Sequence, residues 1–81
     1  MYRIGELASM TGVTVRTLHH YDNLGLLRPS GHSESGYRLY SQADLARLQQ
    51  VMTLRYLGFP LERIRELLAR PVMDMAVSLQ M

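Results

Sequence analysis

The sequence predicts a mainly α domain of four helices and one small β-hairpin, and three observations predict it. Two short amphipathic segments meet at Thr11-Gly12, just before a threonine placed to cap the second. A polar, glycine-bounded stretch, Gly31-His32-Ser33-Glu34-Ser35-Gly36, separates two short extended segments. Apolar residues then recur at helical spacing through the C-terminal half, stopping at Gly58 and restarting at Pro60.

In chain order, Tyr2-Arg3-Ile4 is a short extended start. A first helix follows from Ile4 to Met10, with Ile4, Leu7 and Ala8 on one face. Thr11-Gly12 ends it, glycine accepting the left-handed backbone of a sharp turn. The Thr14 hydroxyl caps a second helix that runs to about Asn23; Gly25 stops it, and Leu26 and Leu27 return to the core. Arg28-Pro29-Ser30 and Tyr37-Arg38-Leu39-Tyr40 are the hairpin strands, with residues 31–36 as their loop.

Ser41-Gln42-Ala43-Asp44 reads as a capping box with Asp in place of Glu. The third helix extends to about Leu57, its inward stripe being Leu45, Leu48, Met52 and Tyr56. Pro60 suits the first turn of a fourth helix, where a missing N–H costs nothing. Leu61, Ile64, Leu67 and Leu68 form the apolar face of that helix, and Arg70-Pro71 ends it. Residues 72–81 read as helix again, with Val72, Met75, Ala76 and Leu79 at seam spacing, but about ten residues do not hold a helix alone.

Composition narrows the function. A chain of 81 residues makes one domain. Without cysteine it has no disulfide, thiolate metal site or cysteine nucleophile. No apolar run approaches the roughly 20 residues of a membrane span, and no signal peptide precedes the first helix, which points to a soluble cytoplasmic protein. Net charge is only +2, yet all nine basic residues are arginine. That ratio reflects codon usage more simply than function, so the positions of the arginines carry the information.

The segment from Ile4 to Asn23 has the pattern of a helix-turn-helix. Ala8 allows a close crossing, Gly12 supplies the turn, and Leu7, Val13, Val15 and Leu18 are expected to lock the two helices. At about 100° per residue, Val15, Leu18, His19 and Asp22 fall on one side of the second helix. Arg16, Thr17, His20 and, more laterally, Tyr21 fall on the other. Guanidinium, hydroxyl, imidazole and phenol are the groups that meet phosphates and base edges in a major groove. With the hairpin beside it, the predicted fold is a winged helix-turn-helix.

Tyr2-Arg3-Ile4-Gly5-Glu6-Leu7-Ala8 and the run from Gly12 to Asp22 resemble the N-terminal domain of the MerR family of regulators. The resemblance continues through Gly25-Leu26-Leu27, Gly36-Tyr37-Arg38-Leu39-Tyr40 and Leu57-Gly58-Phe59-Pro60-Leu61, covering about residues 2–70 in order. The triplet His19-His20-Tyr21 is similar to the multidrug-responsive, TipA-like branch. The resemblance implies a homodimer joined by a coiled coil after the fourth helix, with no cofactor. It also implies binding to a pseudo-palindromic site in double-stranded promoter DNA, which the dimer distorts so that RNA polymerase engages both promoter elements.

Carried over position by position, Thr14, Arg16, Thr17, His20 and Tyr21 match the recognition helix, and Tyr37 and Arg38 match the wing. Phe59 and Pro60 open the fourth helix, whose amides would hold a phosphate, and Arg55 adds a backbone contact. Residues 1–70 are then the winged helix-turn-helix and 71–81 the beginning of a truncated dimerisation helix, which points to a fragment of a longer protein rather than a natural minimal version.

Other functions fit less well. Adjacent His19 and His20 point about 100° apart and do not chelate together, and His32 lies in the loop, so no metal is expected. The methionines could line a drug pocket, but three of the six fall in the last ten residues, where a dimer contact is simpler. Ser, His and Asp occur in no nucleophile turn, which argues against an enzyme. Of the tyrosines, Tyr56 is expected in the core, and Tyr21 and Tyr37 at DNA. The alternative reading is an architectural DNA-binding adaptor of the excisionase kind; a protein-interaction module comes third.

Overall fold

In the computed structural model, which describes residues 1–69, all four predicted helices are present. The order is β1 (Tyr2–Arg3), α1 (Ile4–Thr11), α2 (Val15–Asn23), β2 (Gly31–His32), β3 (Arg38–Tyr40), α3 (Gln42–Tyr56) and α4 (Leu61–Ala69). The expected break at Arg70-Pro71 and the expected helix over 72–81 lie outside the described residues.

Local chemistry sets the helix ends. Gly12 takes φ 78° at the end of α1, and its N–H donates to the Ala8 carbonyl at 2.9 Å. Thr14 caps α2, its hydroxyl accepting from the Thr17 N–H at 3.0 Å. α2 closes in a Schellman turn, with Gly25 N–H donating to Asp22 O at 3.0 Å and Leu26 N–H to Tyr21 O at 2.8 Å. α3 opens on the predicted capping box of Ser41 and Asp44. It ends in a second Schellman turn, where Gly58 N–H reaches Arg55 O and Phe59 N–H reaches Leu54 O, both at 3.0 Å. Pro60 sits one residue earlier than expected, directly before α4, and its carbonyl accepts from Ile64 N–H at 3.0 Å.

The extended start does more than lead into α1. β1 pairs antiparallel with β3, Tyr2 opposite Tyr40 and Arg3 opposite Leu39, so β3 is the centre of a three-stranded sheet of order β1-β3-β2. The hairpin is shifted from its expected register: β2 is Gly31–His32, paired with Leu39 and Arg38, and Arg28–Ser30 is not a strand. The reason is a competing acceptor. Ser30 N–H donates to Asp44 Oδ2 at 3.2 Å instead of to a strand neighbour, and Pro29 has no N–H to give. The loop shrinks to residues 33–37 and is closed by Ser33 N–H to Tyr37 O and Gly36 N–H to Ser33 O, both at 2.9 Å.

One core joins every helix: Leu7, Leu18, Tyr21, Leu26, Leu27, Tyr40, Leu48, Val51 and Ile64. Four expectations about it are corrected. Val15 is 38% exposed, whereas Tyr21 is only 8% exposed. The buried axis of α2 runs between Leu18 and Tyr21, which lie about 60° apart on the helix, rather than between Leu18 and Val15. In α3 the axis runs between Leu48 and Val51, which leaves Tyr56 about 110° away and 90% exposed. Leu67 of α4 is likewise exposed, because Ile64 alone reaches the centre.

Two arginines hold the layers together. Arg47 of α3 donates from Nε to Leu26 O at 2.7 Å and from a terminal nitrogen to Leu68 O at 3.3 Å. Arg65 of α4 donates to Leu24 O at 3.2 Å. Both satisfy carbonyls just past the end of α2, where the turn leaves them without helical partners. The orientation of the second helix is therefore fixed from the far side of the domain.

Candidate nucleic-acid interface

Burial of Leu18 and Tyr21 turns the opposite side of α2 outward. Arg16 and His20, four residues apart, are exposed on it. Thr14 and Thr17 sit at its N-terminal end, joined hydroxyl to hydroxyl at 2.8 Å. The Thr14 oxygen is already engaged by the Thr17 amide, so capping and outward contact are shared duties of one group. Thr17 is half-buried. Tyr21 leaves the outward set: its ring packs in the core, 6.5 Å from the His20 ring, and supports the helix from beneath.

The wing is anchored to this helix by charge. Arg38, the first residue of β3, places Nε 3.4 Å from Oδ2 of Asp22 in the last turn of α2. Tyr37, one residue earlier, is 54% exposed. The Arg3 guanidinium lies 4.5 Å from the centre of its ring, a cation–π contact that stiffens the aromatic against the first strand. At the wing base, Asp44 Oδ2 accepts from Ser30 Oγ at 2.6 Å and from Ser41 N–H at 2.8 Å. This ties the strand entry to the start of α3.

A third group lies at the α3–α4 corner. Arg55 reaches the Phe59 carbonyl at 3.5 Å, and Phe59 and Pro60 are both exposed. The structure links the wing to α2 through Asp22, and α4 to the end of α2 through Arg65. It shows no side-chain bond from the corner group to the wing among the described residues.

The sequence reading missed Arg3 and Asp22. Arg3 lies 34 positions from Tyr37 and meets it only because β1 pairs with β3, and Asp22 meets Arg38 across α2 and the wing. No local spacing announces either. A period-2 reading of the N-terminal segment as an edge strand is the one available signal for Arg3.

With this geometry in place, the family is clear from comparison. The model of the MerR HTH family of regulatory proteins matches residues 2–70. The chain belongs to the MerR family. It is 56% identical over 73 residues to the HTH-type transcriptional activator TipA of Streptomyces coelicolor, covering 90% of this chain and 29% of TipA. The crystal structure of MtaN, the N-terminal part of the Bacillus subtilis multidrug transporter activator, superposes with a TM-score of 0.86 at 49% identity. That match covers 99% of this chain and 76% of MtaN. HiNmlR, a MerR family regulator lacking the sensor domain and crystallised bound to promoter DNA, superposes at 0.74 with 32% identity, over 82% of this chain and 52% of that one.

The chain spans about a third of the length of the curated relatives it matches. It is a MerR-family DNA-binding domain of the winged helix-turn-helix kind. No described helix is long and apolar enough to cross a membrane.

Proposed function

We propose that this domain reads a two-fold-related promoter site as part of a homodimeric bacterial transcription regulator, acting in the cytoplasm by binding and not by catalysis. Residues 1–70 are the reading unit, and residues 71–81 contribute to joining two copies. The dimer bends and untwists its site, and RNA polymerase then engages promoter elements that are otherwise badly spaced. The observation that carries this reading is the outward face of α2, with a wing fixed beside it by the Asp22–Arg38 pair. A helix presented in this way enters the major groove, while the wing lies along the backbone.

In this reading Arg16 and His20 meet base edges, and Thr14 and Thr17 meet the nearest phosphate. Tyr37 and Arg38 grip the backbone beside the groove. At the corner, Arg55, Phe59 and Pro60 hold a further phosphate at the start of α4. Tyr21 contributes from the core, by aiming the helix.

Selection of bound sites from randomised duplex DNA tests the reading. A two-fold-related consensus is expected; retention without any sequence preference would point to an architectural binder. On the selected site, Arg16→Ala is expected to weaken binding by about 1–3 kcal/mol, the worth of a bidentate base contact, and to weaken random duplex less. Equal losses on both would remove Arg16 from base reading. Arg38→Ala is expected to weaken binding to every duplex and to lower the slope of log K against log salt by about 1.

A further inference from the structure

An acidic side chain on a reading helix needs a physical reason. Asp22 lies in the last turn of α2, where the helix dipole disfavours an anion, and a carboxylate near DNA repels phosphate. It is only 23% exposed, and its Oδ2 lies 3.4 Å from Arg38 Nε. Among the described residues this pair is the only hydrogen bond or ion pair between side chains of α2 and the wing strands. Nε is the inner nitrogen of the guanidinium, so among the described residues the two terminal nitrogens keep their N–H groups for another acceptor.

The strand register explains why the wing needs this anchor. Side chains alternate across β3, so Arg38 shares a face with Tyr40, which is fully buried. Arg38 therefore leans toward α2 from a strand of three residues, at the level of its last turn. A long, flexible side chain drawn toward Asp22 by this ion pair meets a phosphate with part of its rotamer freedom already spent.

We propose that Asp22 is a positioning residue that holds Arg38 against the end of α2, so that recognition helix and wing meet the phosphate backbone as one surface. This rests on Arg38 as a phosphate contact. The charge of Asp22 opposes DNA; its grip on Arg38 favours DNA, and the second effect is the larger.

A double-mutant cycle tests it. D22N, R38A and the double variant of the chain are titrated onto a random-sequence duplex over a salt series, with thermal melting to confirm that each is folded. D22N is expected to weaken binding about 3- to 10-fold when Arg38 is present, toward the lower end of the coupling found between contacting neighbours. In the R38A background it is expected to leave binding unchanged or slightly stronger. D22E, which keeps the carboxylate, is expected to recover most of the loss and gives a second reading should D22N fold poorly. Equal strengthening by D22N in both backgrounds would mean simple repulsion and overturn the proposal, as would no effect in either. A salt slope unchanged by R38A is a separate failure, striking the reading of Arg38 itself.

Discussion

The helix-turn-helix and the wing of this domain are held in different ways. The helix-turn-helix is held chiefly by apolar burial and local caps, with Arg47 and Arg65 added at the end of α2: Leu7 and Leu18 are fully buried where α1 crosses α2, and Gly12 and Thr14 set the turn with bonds a few residues long. The wing has strands of two and three residues and only Tyr40 fully buried among them, with Leu39 half-buried. Its position comes from polar side chains reaching across the fold: Asp22 to Arg38, Asp44 to Ser30, Arg3 to Tyr37. Apolar packing is cooperative and insensitive to salt, whereas exposed ion pairs are worth little individually and are screened. The second helix is thus fixed mainly by packing, and the wing is aimed by polar contacts of the same kind as those proposed for it with DNA.

The largest expected effect lies on the helix-turn-helix side. Leu18→Ala empties a fully buried site between α1 and α2 and is expected to cost about 2–5 kcal/mol, a large share of the stability of so small a domain. Urea unfolding followed by circular dichroism reads it directly. DNA binding should fall in step with the folded fraction, with an unchanged salt slope. A loss below about 1 kcal/mol would place the crossing of α1 and α2 outside the cooperative core and erase the contrast with the wing.

The same contrast explains what the sequence disclosed. Gly12, Thr14, Gly25, Ser41 and Gly58 act within a few residues of themselves, as Asp44 does in the capping box, and all six make the local stop or cap their spacing predicts. Helix faces were legible only approximately. Tyr21 and Val15 lie on opposite flanks of Leu18, about 60° to either side, and which one is buried depends on what packs against α2. Tyr56 departs from its expected place for the same reason: the stripe through Leu45, Leu48 and Met52 is real at its centre, but Val51 pulls the buried axis to the other flank. The β2 register depended on an acceptor 14 positions away, Asp44, which took the Ser30 amide. Arg47 and Arg65 look like surface charges in sequence and are structural because two carbonyls past α2 lacked donors. Long-range polar partners carry no periodicity, so the wing was the least legible part of the site.

Asp44 offers an intermediate effect, on the wing side. Its Oδ2 accepts from Ser30 N–H, Ser30 Oγ and Ser41 N–H, and so closes the capping box and pins the wing base with one atom. Asp44→Ala is expected to cost about 1–2 kcal/mol of stability, the usual range for a lost cap with its charge-assisted bonds. Here DNA affinity should fall further than the lost stability explains, measured well below the melting midpoint where the variant is fully folded. Asp44→Asn keeps an acceptor without the charge and should retain most of the affinity. Unaltered binding by folded Asp44→Ala would show that the base does not aim the strands.

The smallest effect has the opposite sign and sits where the two modes of construction meet. Tyr40 brings the central strand of the wing into the apolar core, and its buried hydroxyl has no hydrogen-bond partner among the described residues. An unsatisfied buried donor costs free energy, so Tyr40→Phe is expected to stabilise the domain by about 1 kcal/mol. Burial raises the Tyr40 pKa above its ordinary value; the Asp22 carboxylate raises it further, Arg38 opposes the rise and Asp44 adds to it. A raised folded pKa means that the unfolded chain ionises first. The stability tied to the neutral phenol is therefore complete below about pH 10 and is lost as pH rises through the folded value. Tyr40→Phe lacks that titration, so its advantage in urea unfolding should widen above about pH 10. A variant less stable than the parent would show that the hydroxyl does find a partner, and that polar bonding extends from the wing into the core.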